Sequence, residues 1–317
     1  MSTQHWTAAD IPDQAGRLAV ITGANSGIGY EAARELARKG ARVILAVRSQ
    51  DKGRAAADTI RRELPSASVE VQVLDLSDLA SVRRFAEALL AREPALPLLI
   101  NNAGVMALPY RRTADGFEMQ FGTNHLGHYA LTGLLLPALL ATPGARVVTV
   151  SSLYHAQGAI AFDNLDGARG YNRWATYAQS KLANLLFAYE LQRRLAAAGS
   201  GLISVGCHPG YAATNLQSAG PQMEGSRLGQ LIGRVANAIF AQSPAKGALP
   251  TLYAAVAPGV NGCDYIGPDG PLGARGNPVK IRSSPRSYDA ETAKRLWEVS
   301  ERLTGVVYQF EGVGKEK

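Results

Sequence analysis

A glycine-rich turn between an apolar strand and a helix constrains the fold of this chain more than any other feature. The apolar run 18–21 is followed by Thr22-Gly-Ala-Asn-Ser-Gly-Ile-Gly29, and residues 30–37 then carry apolar side chains at helical spacing. Such a unit can hold a pyrophosphate, because glycine admits close approach and the helix start offers unpaired N–H donors. The hydroxyl of Ser26 could add a donor. A plain glycine turn fits the same residues, so the rest of the chain must decide.

The remaining pattern predicts an α/β fold with one doubly wound parallel sheet, a Rossmann fold. The expected strands cover residues 17–22, 41–47, 69–74, 96–101, 145–151, 202–208 and 264–266. The expected helices cover residues 29–39, 52–63, 79–92, 116–140, 176–198, 244–257 and 288–303. Alternation of this kind requires parallel strands joined by right-handed crossovers, so we expect about seven strands with helices on both faces.

One domain is expected over residues 16–305, between an N-terminal tail at 1–15 and a C-terminal tail at 306–317. Long segments at 153–175, 213–242 and 267–287 interrupt the alternation and would lie near the carboxyl edge of the sheet. Segment 213–242 is interpreted as a substrate lid, with a surface insertion that touches no ligand as the alternative.

Composition indicates a cytoplasmic enzyme. The net charge is +7, but the basic side chains are interspersed with acids, so no nucleic-acid partner is expected. No apolar run could span a bilayer and no secretory signal begins the sequence, so no membrane anchor is expected. Cys207 and Cys263 are interpreted as reduced core thiols. His125 and His128 are three residues apart, but no further clustered ligand completes a metal site, so no metal is expected.

Tyr177 and Lys181 are four residues apart on a predicted helix and therefore share one face. An ammonium beside a phenol favours the phenolate, so Lys181 is expected to lower the pKa of Tyr177. Such a phenol could give a proton to a carbonyl oxygen or take one from an alcohol. The same spacing also occurs on ordinary surface helices, so the pair alone does not define a site.

Polar residues also close three predicted strands. Ser152 could bind a substrate oxygen as charge builds on it, and the small residues of 101–104 would let a ligand approach the backbone. Asp75 could accept a hydrogen bond from an adenine amino group. Each has a plainer interpretation: a capped loop at Ser152, an ordinary turn at 101–104, and a cap on the helix near Leu79 for Asp75.

Together these residues identify a family. From residue 16 to 268 the chain resembles the short-chain dehydrogenase/reductase family, of the classical type. The shared residues, in order, are Thr22-Gly-x-x-x-Gly-x-Gly29, Asp75, Asn101-Asn-Ala-Gly104, Asn124, Ser152, Tyr177-x-x-x-Lys181, Pro209-Gly210 and Thr214. The resemblance implies a nicotinamide cofactor and hydride transfer to or from a carbonyl or alcohol carbon.

The resemblance also implies individual roles. Tyr177 would donate or accept the proton, Lys181 would bind the ribose and tune the phenol, and Ser152 would hold the substrate oxygen. Asn124 would hold a water for proton relay. The other implied cofactor contacts are Gly23, Asn25, Ser26, Gly27, Ile28, Gly29, Asp75, Leu76, Asn102, Ala103, Gly104, Pro209, Gly210 and Thr214. The expected substrate pocket comprises Ser152, Leu153, Tyr154 and Tyr211.

The end of the second strand favours NADP(H) over NAD(H). An acid at this position binds the ribose 2′-hydroxyl, whereas an arginine accommodates a 2′-phosphate. Here the strand ends in Val47 and Arg48, and a guanidinium can bind phosphate with two hydrogen bonds. Lys52 could assist or could simply be solvated.

Within the family, the chain is most similar to the branch of retinol dehydrogenases and their bacterial relatives. The similarity rests on residues 124–129 and 180–184, on His208-Pro-Gly210, and on the long interval between Ser152 and Tyr177. It implies a moderately lipophilic carbonyl or alcohol substrate without specifying a retinoid. A homodimer or homotetramer is compatible with the sequence. A catalytically silent NADP(H)-binding sensor or scaffold, and an epimerase or dehydratase of the same fold, are the alternatives.

Overall fold

The computed structural model describes residues 5–211 and 242–310, which form an eight-stranded sheet covered by helices on both faces. The strand order is β3-β2-β1-β4-β5-β6-β7-β8, and only β8 runs antiparallel to its neighbour. The strands are β1 (Leu18–Thr22), β2 (Arg42–Val47), β3 (Val69–Val73), β4 (Leu98–Asn101), β5 (Arg146–Val150), β6 (Ile203–Cys207), β7 (Tyr265–Pro268) and β8 (Pro278–Ile281).

Two helical layers bury the sheet. The helices are α1 (Gly27–Arg38), α2 (Gln50–Glu63), α3 (Leu79–Leu90), α4 (Met119–Phe121), α5 (Gly127–Leu140), α6 (Arg173–Ala197), α7 (Pro244–Val256) and α8 (Ala290–Thr304). A π-helical turn, Gly122–Leu126, joins α4 to α5. Helices α1, α2 and α7 pack on one face, and α3, α5 and α6 pack on the other. Because both faces are covered, β1 and β4 are buried along their whole length and carry almost unbroken apolar runs.

The order in which the chain adds strands to the sheet reverses between β1 and β4. These two strands are neighbours in the sheet, although β2 and β3 lie between them in sequence. Ligands of open α/β sheets bind in the crevice outside such a switch point. The glycine-rich turn follows β1 and the Asn-Ala-Gly turn follows β4, so both motifs open into this crevice.

The predicted fold class is confirmed, with two differences. The sheet has eight strands rather than about seven, because the loop expected at 267–287 contains β8. This strand is four residues long and pairs only with β7 at the sheet edge, so it has no long apolar run to reveal it. Helix α6 begins at Arg173, three residues before the predicted start, because the Asn172 side chain caps its first turn.

The described parts of both expected tails pack against the domain. Near the N-terminus, Ile11 and Gln14 are buried, and the Trp6 ring meets the Tyr253 ring edge-on. Near the C-terminus, Val306 and Tyr308 are buried against α5. The expectation of tails is therefore wrong for these residues, which belong to the core.

We expect Tyr308→Phe to lower the free energy of unfolding by about 1 kcal/mol, the usual net contribution of a buried hydrogen bond. The Tyr308 hydroxyl donates to the backbone oxygen of Tyr129 at 2.6 Å and also interacts with the Thr132 side chain, and the substitution removes this hydroxyl alone. Val307→Ala is the control, since this neighbouring side chain is 62% exposed. Denaturant unfolding with an equal loss in both variants would contradict the packing described for residues 306–310.

Among residues 5–211 and 242–310, no helix has the length and apolar character needed to cross a membrane. The same residues contain no group of three His, Cys, Asp or Glu side chains arranged to hold a metal ion.

Candidate active site

Ser152 and the two helical residues predicted to act with it come together at the carboxyl edge of the sheet. Ser152 is the second residue after the end of β5, and its hydroxyl accepts a hydrogen bond from the Tyr154 backbone at 3.3 Å. Tyr177 and Lys181 lie one turn apart on α6, and the Ser152 hydroxyl is near enough to the Tyr177 phenol to act on its pKa. A hydroxyl pair of this kind can hold one oxygen atom of a ligand between two polar groups.

Lys181 is buried and held against the end of β5. Its Nζ donates to the backbone oxygen of Val150 at 3.3 Å and lies 5.9 Å from the centre of the Tyr177 ring. The Ser151 hydroxyl donates to the Lys181 backbone oxygen at 2.7 Å, which ties this turn of α6 to β5. The backbone that carries Lys181 is thus held in place beside the end of β5.

The protonation states differ from the sequence-based expectation. Burial raises the pKa of Tyr177 to about 12, although the nearby Ser152 hydroxyl opposes the shift. Burial also lowers the pKa of Lys181 to about 8. The pKa of Tyr177 is therefore raised in this structure and not lowered as expected, because desolvation is the largest cause of the shift. The neutral phenol at neutral pH is the form that can donate a proton.

The glycine-rich turn forms a cradle that side chains would fill. Gly23 and Gly27 have φ of +68° and +58°, a region that glycine adopts freely. A Cβ at Gly29 would collide with the Asn102 amide nitrogen and the Gly23 oxygen. Helix α1 begins at Gly27, and Ser26 does not use its side chain to cap it. Asn25, Ser26 and Ile28 are half-buried along the turn, so the cradle fits a dinucleotide pyrophosphate.

The Asn-Ala-Gly turn packs directly on this cradle. The backbone N–H groups of Asn102 and Ala103 both donate to the Thr22 hydroxyl at 2.9 Å. A Cβ at Gly104 would lie 3.2 Å from Asn124 Oδ1 and 3.3 Å from Lys181 Nζ. The close approach explains why small residues stand here and links the cradle to the Tyr177 side of the crevice.

Arg48 stands exposed just beyond β2, and its side chain has no ion pair or hydrogen bond within the described part of the chain. The preceding residue, Val47, is apolar and buried, so it presents no carboxylate at the end of β2. Lys52 is exposed in the first turn of α2. This end of the crevice therefore carries positive charge.

Asp75 and Leu76 lie at the turn after β3. Asp75 Oδ1 accepts from the Ser77 backbone at 2.9 Å and from its hydroxyl at 2.6 Å. Helix α3 is capped by Asp78, so the alternative interpretation of Asp75 as that cap is wrong. Leu76 is buried, and its backbone oxygen is in close contact with Gly127. Contact of these residues with an adenine stays a prediction.

Asn124 lies in the π-helical turn, a feature often found at functional sites. Its Oδ1 accepts from the Val105 backbone at 2.7 Å, and its Nδ2 donates to Val105 O and to the Ser180 hydroxyl at 2.9 Å each. The side chain is fully used in holding the Asn-Ala-Gly turn beside α6. A role for Asn124 in a water relay stays a prediction.

The predicted nicotinamide turn after β6 is described as far as Tyr211. Gly210 has φ of +68°, and a Cβ there would collide with the Ala274 oxygen. The Tyr211 N–H donates to that oxygen at 2.7 Å, and Gln242 Nε2 donates to the Pro209 oxygen at 2.6 Å. Thr214 and the predicted lid, Gln242 excepted, lie outside the described residues.

An aromatic surface extends outward from Tyr177. The Tyr154 ring lies edge-on to Tyr177 with 5.7 Å between ring centres, and it stacks on Trp174 at 5.2 Å with planes 20° apart. Trp174 is 44% exposed. Sequence reasoning missed Trp174, although its position three residues before Tyr177 on the same helix places both on one face. Leu153 lies beside Gly273.

The fold, the cradle and the Ser152–Tyr177–Lys181 arrangement define a nucleotide-binding oxidoreductase of the Rossmann type. A family model described as short chain dehydrogenase matches residues 17–225. Retinol dehydrogenase 12 of Homo sapiens is 44% identical over 296 residues, covering 93% of this chain and 88% of that protein. The chain belongs to the short-chain dehydrogenase/reductase family and is retinol dehydrogenase-like within it.

Two solved structures extend the comparison. A protein from Mycobacterium paratuberculosis has a TM-score of 0.80 and 48% identity, covering 96% of this chain and 100% of that one. A short chain dehydrogenase from Shigella flexneri complexed with NADP has a TM-score of 0.57 and 26% identity, covering 76% of this chain and 91% of that one.

Proposed function

We propose that this protein is an NADP(H)-dependent oxidoreductase that interconverts a carbonyl and an alcohol on a moderately lipophilic small molecule. The observation that carries the proposal is the position of Tyr177, near Ser152 and beside the buried Lys181, whose Nζ lies 5.9 Å from the centre of the Tyr177 ring. A neutral phenol and a hydroxyl in such an arrangement would together bind and protonate one substrate oxygen.

Three side chains would have separate roles in this reaction. A bound nicotinamide would supply the hydride for reduction or accept it in oxidation. Ser152 would orient the substrate oxygen, and Tyr177 would give it a proton as negative charge develops. Lys181 is cationic below its pKa of about 8 and would stabilise the phenolate that remains. In the reverse direction Tyr177 would take the proton from the alcohol.

The preference for NADP(H) is supported by the charge at the end of β2. Arg48 has no partner within the described residues and could meet a 2′-phosphate. Val47 offers no carboxylate for a 2′-hydroxyl. The complex of the Shigella flexneri relative with NADP is in keeping with this choice.

The lipophilic character of the substrate is supported by the aromatic surface that leads to Tyr177. A substrate whose oxygen lies at Ser152 could rest its carbon skeleton on Tyr154 and Trp174, which are the nearest rings outward from Tyr177. Stacking of this kind favours a flat, unsaturated skeleton. Steady-state oxidation of NADPH with trans-cinnamaldehyde is the direct test. Binding of NADPH with no turnover of this or other carbonyls and alcohols would favour a silent sensor instead.

We expect Trp174→Ala to lower kcat/KM for trans-cinnamaldehyde about two- to tenfold, because one aromatic contact contributes about 0.5–1.5 kcal/mol. The loss should be smaller for nonanal, which has the same number of carbons but is not flat. Trp174→Phe is the control and should retain the preference. Equal losses for both aldehydes would mean that Trp174 does not contact the unsaturated skeleton.

A further inference from the structure

His128 links two segments beside the crevice through two buried hydrogen bonds. It lies in the first turn of α5 and is 1% exposed. Its Nδ1 is 2.9 Å from the backbone oxygen of Asn124, and its Nε2 is 2.9 Å from the Thr22 hydroxyl. One ring thus joins the π-helical turn to the last residue of β1, where the glycine-rich cradle begins.

The acceptors around the ring fix its tautomer. A backbone oxygen can only accept, so Nδ1 must carry a proton to donate to Asn124. Burial and the nearby charge of Lys181 lower the pKa of His128 to about 4, so the ring is neutral at neutral pH. A neutral imidazole has one proton, hence Nε2 is an acceptor and the Thr22 hydroxyl must donate to it.

The direction of the Thr22 O–H bond determines which hydrogen bonds the lone pairs of its oxygen can accept. Its proton has a second acceptor within reach, the Ile100 oxygen, but that contact is 3.4 Å and longer than an ordinary O–H···O bond. With the proton on His128, both lone pairs face the N–H groups of Asn102 and Ala103, each at 2.9 Å. The Thr22 oxygen is then fully satisfied.

The two N–H groups belong to the turn that closes the cradle. A Cβ at Gly23 would lie only 3.0 Å from Ala103 Cα, and Asn102 Nδ2 also donates to the Thr22 backbone oxygen at 2.8 Å. A small shift of this turn would therefore change the width of the crevice beside Gly23 and Gly29. We propose that His128 is a positioning residue for the cofactor, acting through the Thr22 hydroxyl on the Asn-Ala-Gly turn.

The inference rests on the proposed function, and conservative variants separate it from simple core packing. An asparagine at 128 can place its amide nitrogen near the position of Nδ1, whereas a glutamine can place its amide oxygen near that of Nε2. His128→Asn keeps the bond to Asn124 and loses the bond to Thr22. His128→Gln keeps an acceptor for Thr22. We expect His128→Asn to weaken NADPH binding about tenfold and His128→Gln to retain it within about threefold, as the loss of one buried partner implies.

Binding is measured by the fluorescence of NADPH titrated with the full-length protein, with thermal unfolding of every variant alongside. His125→Asn is the control, since His125 is equally buried and bonds to the Ser300 hydroxyl at 2.8 Å, away from the cradle. It should lower the melting temperature without weakening NADPH binding. Equal affinities in His128→Asn and the wild type, or equal losses in His128→Asn and His128→Gln, would overturn the inference.

A second measurement needs no variant. Nitrogen-15 NMR of the histidine rings in the wild-type protein should show His128 as the neutral Nδ1–H tautomer at pH 7. The Nε2–H tautomer or a charged ring would overturn the inference. Failure of the wild type to bind NADPH or NADH in the titration would instead overturn the proposed function.

Discussion

Tyr177→Phe is expected to lower kcat for carbonyl reduction about a hundred- to ten-thousandfold, the usual contribution of general acid–base catalysis. The substitution removes only the hydroxyl near Ser152, and the buried ring can keep its place beside Tyr154. The loss should fall on the chemical step, since the substitution removes the proposed proton donor and leaves the cradle unchanged. Steady-state NADPH oxidation with trans-cinnamaldehyde measures it.

The affinity for NADPH provides the control for this variant. The glycine cradle, Lys181 and Arg48 are all unchanged in Tyr177→Phe, so the dissociation constant should stay close to that of the wild type. If the variant kept more than about a tenth of the wild-type turnover, Tyr177 would not be the proton donor.

Arg48→Ala is expected to weaken NADPH binding about ten- to a hundredfold and to leave NADH binding nearly unchanged. Only NADPH carries the 2′-phosphate, and a hydrogen bond to a charged group contributes about 1.5–3 kcal/mol. Arg48 is exposed, so added salt should reduce the difference between the wild type and the variant. Isothermal titration with each cofactor measures both affinities.

Arg54→Ala is the matched control for Arg48→Ala. Arg54 is also exposed and lies in α2, so its removal changes the net charge equally but takes nothing from the end of β2. This substitution should weaken the binding of NADPH and of NADH only slightly and by the same factor. If Arg48→Ala weakened NADPH and NADH binding by the same factor, Arg48 would not read the phosphate.

The sequence is sufficient to predict the parts of this molecule that repeat a local pattern. Seven of the eight strands, β1 to β7, are predicted within a few residues. The central ones carry nearly continuous apolar runs because both faces are covered, whereas β3 at the sheet edge alternates apolar and polar residues. The carboxyl ends of parallel strands meet at one edge of the sheet. Residues that close those strands, such as Ser152 and Asn102, can therefore be assigned to a common site from the sequence alone.

Features that depend on contacts between distant residues cannot be predicted in this way. Thr22 and His128 are 106 positions apart, and nothing in either local pattern indicates that they bond. Tyr308 looks like part of a tail because only the fold brings it to the Tyr129 backbone. The pKa of Tyr177 escapes prediction for a related reason, since spacing reports the nearby lysine but not the burial that opposes its effect.

The central claim is that this chain transfers a hydride and a proton between a nicotinamide and a substrate, with Tyr177 as the proton donor. The most direct test is the reduction of trans-cinnamaldehyde with NADPH that carries deuterium in the transferable C4 position. We expect the wild type to form an alcohol with deuterium on its carbinol carbon, and Tyr177→Phe to form almost none of this labelled alcohol. NADPH bound without any labelled alcohol, or equal labelling by both proteins, would contradict the central claim.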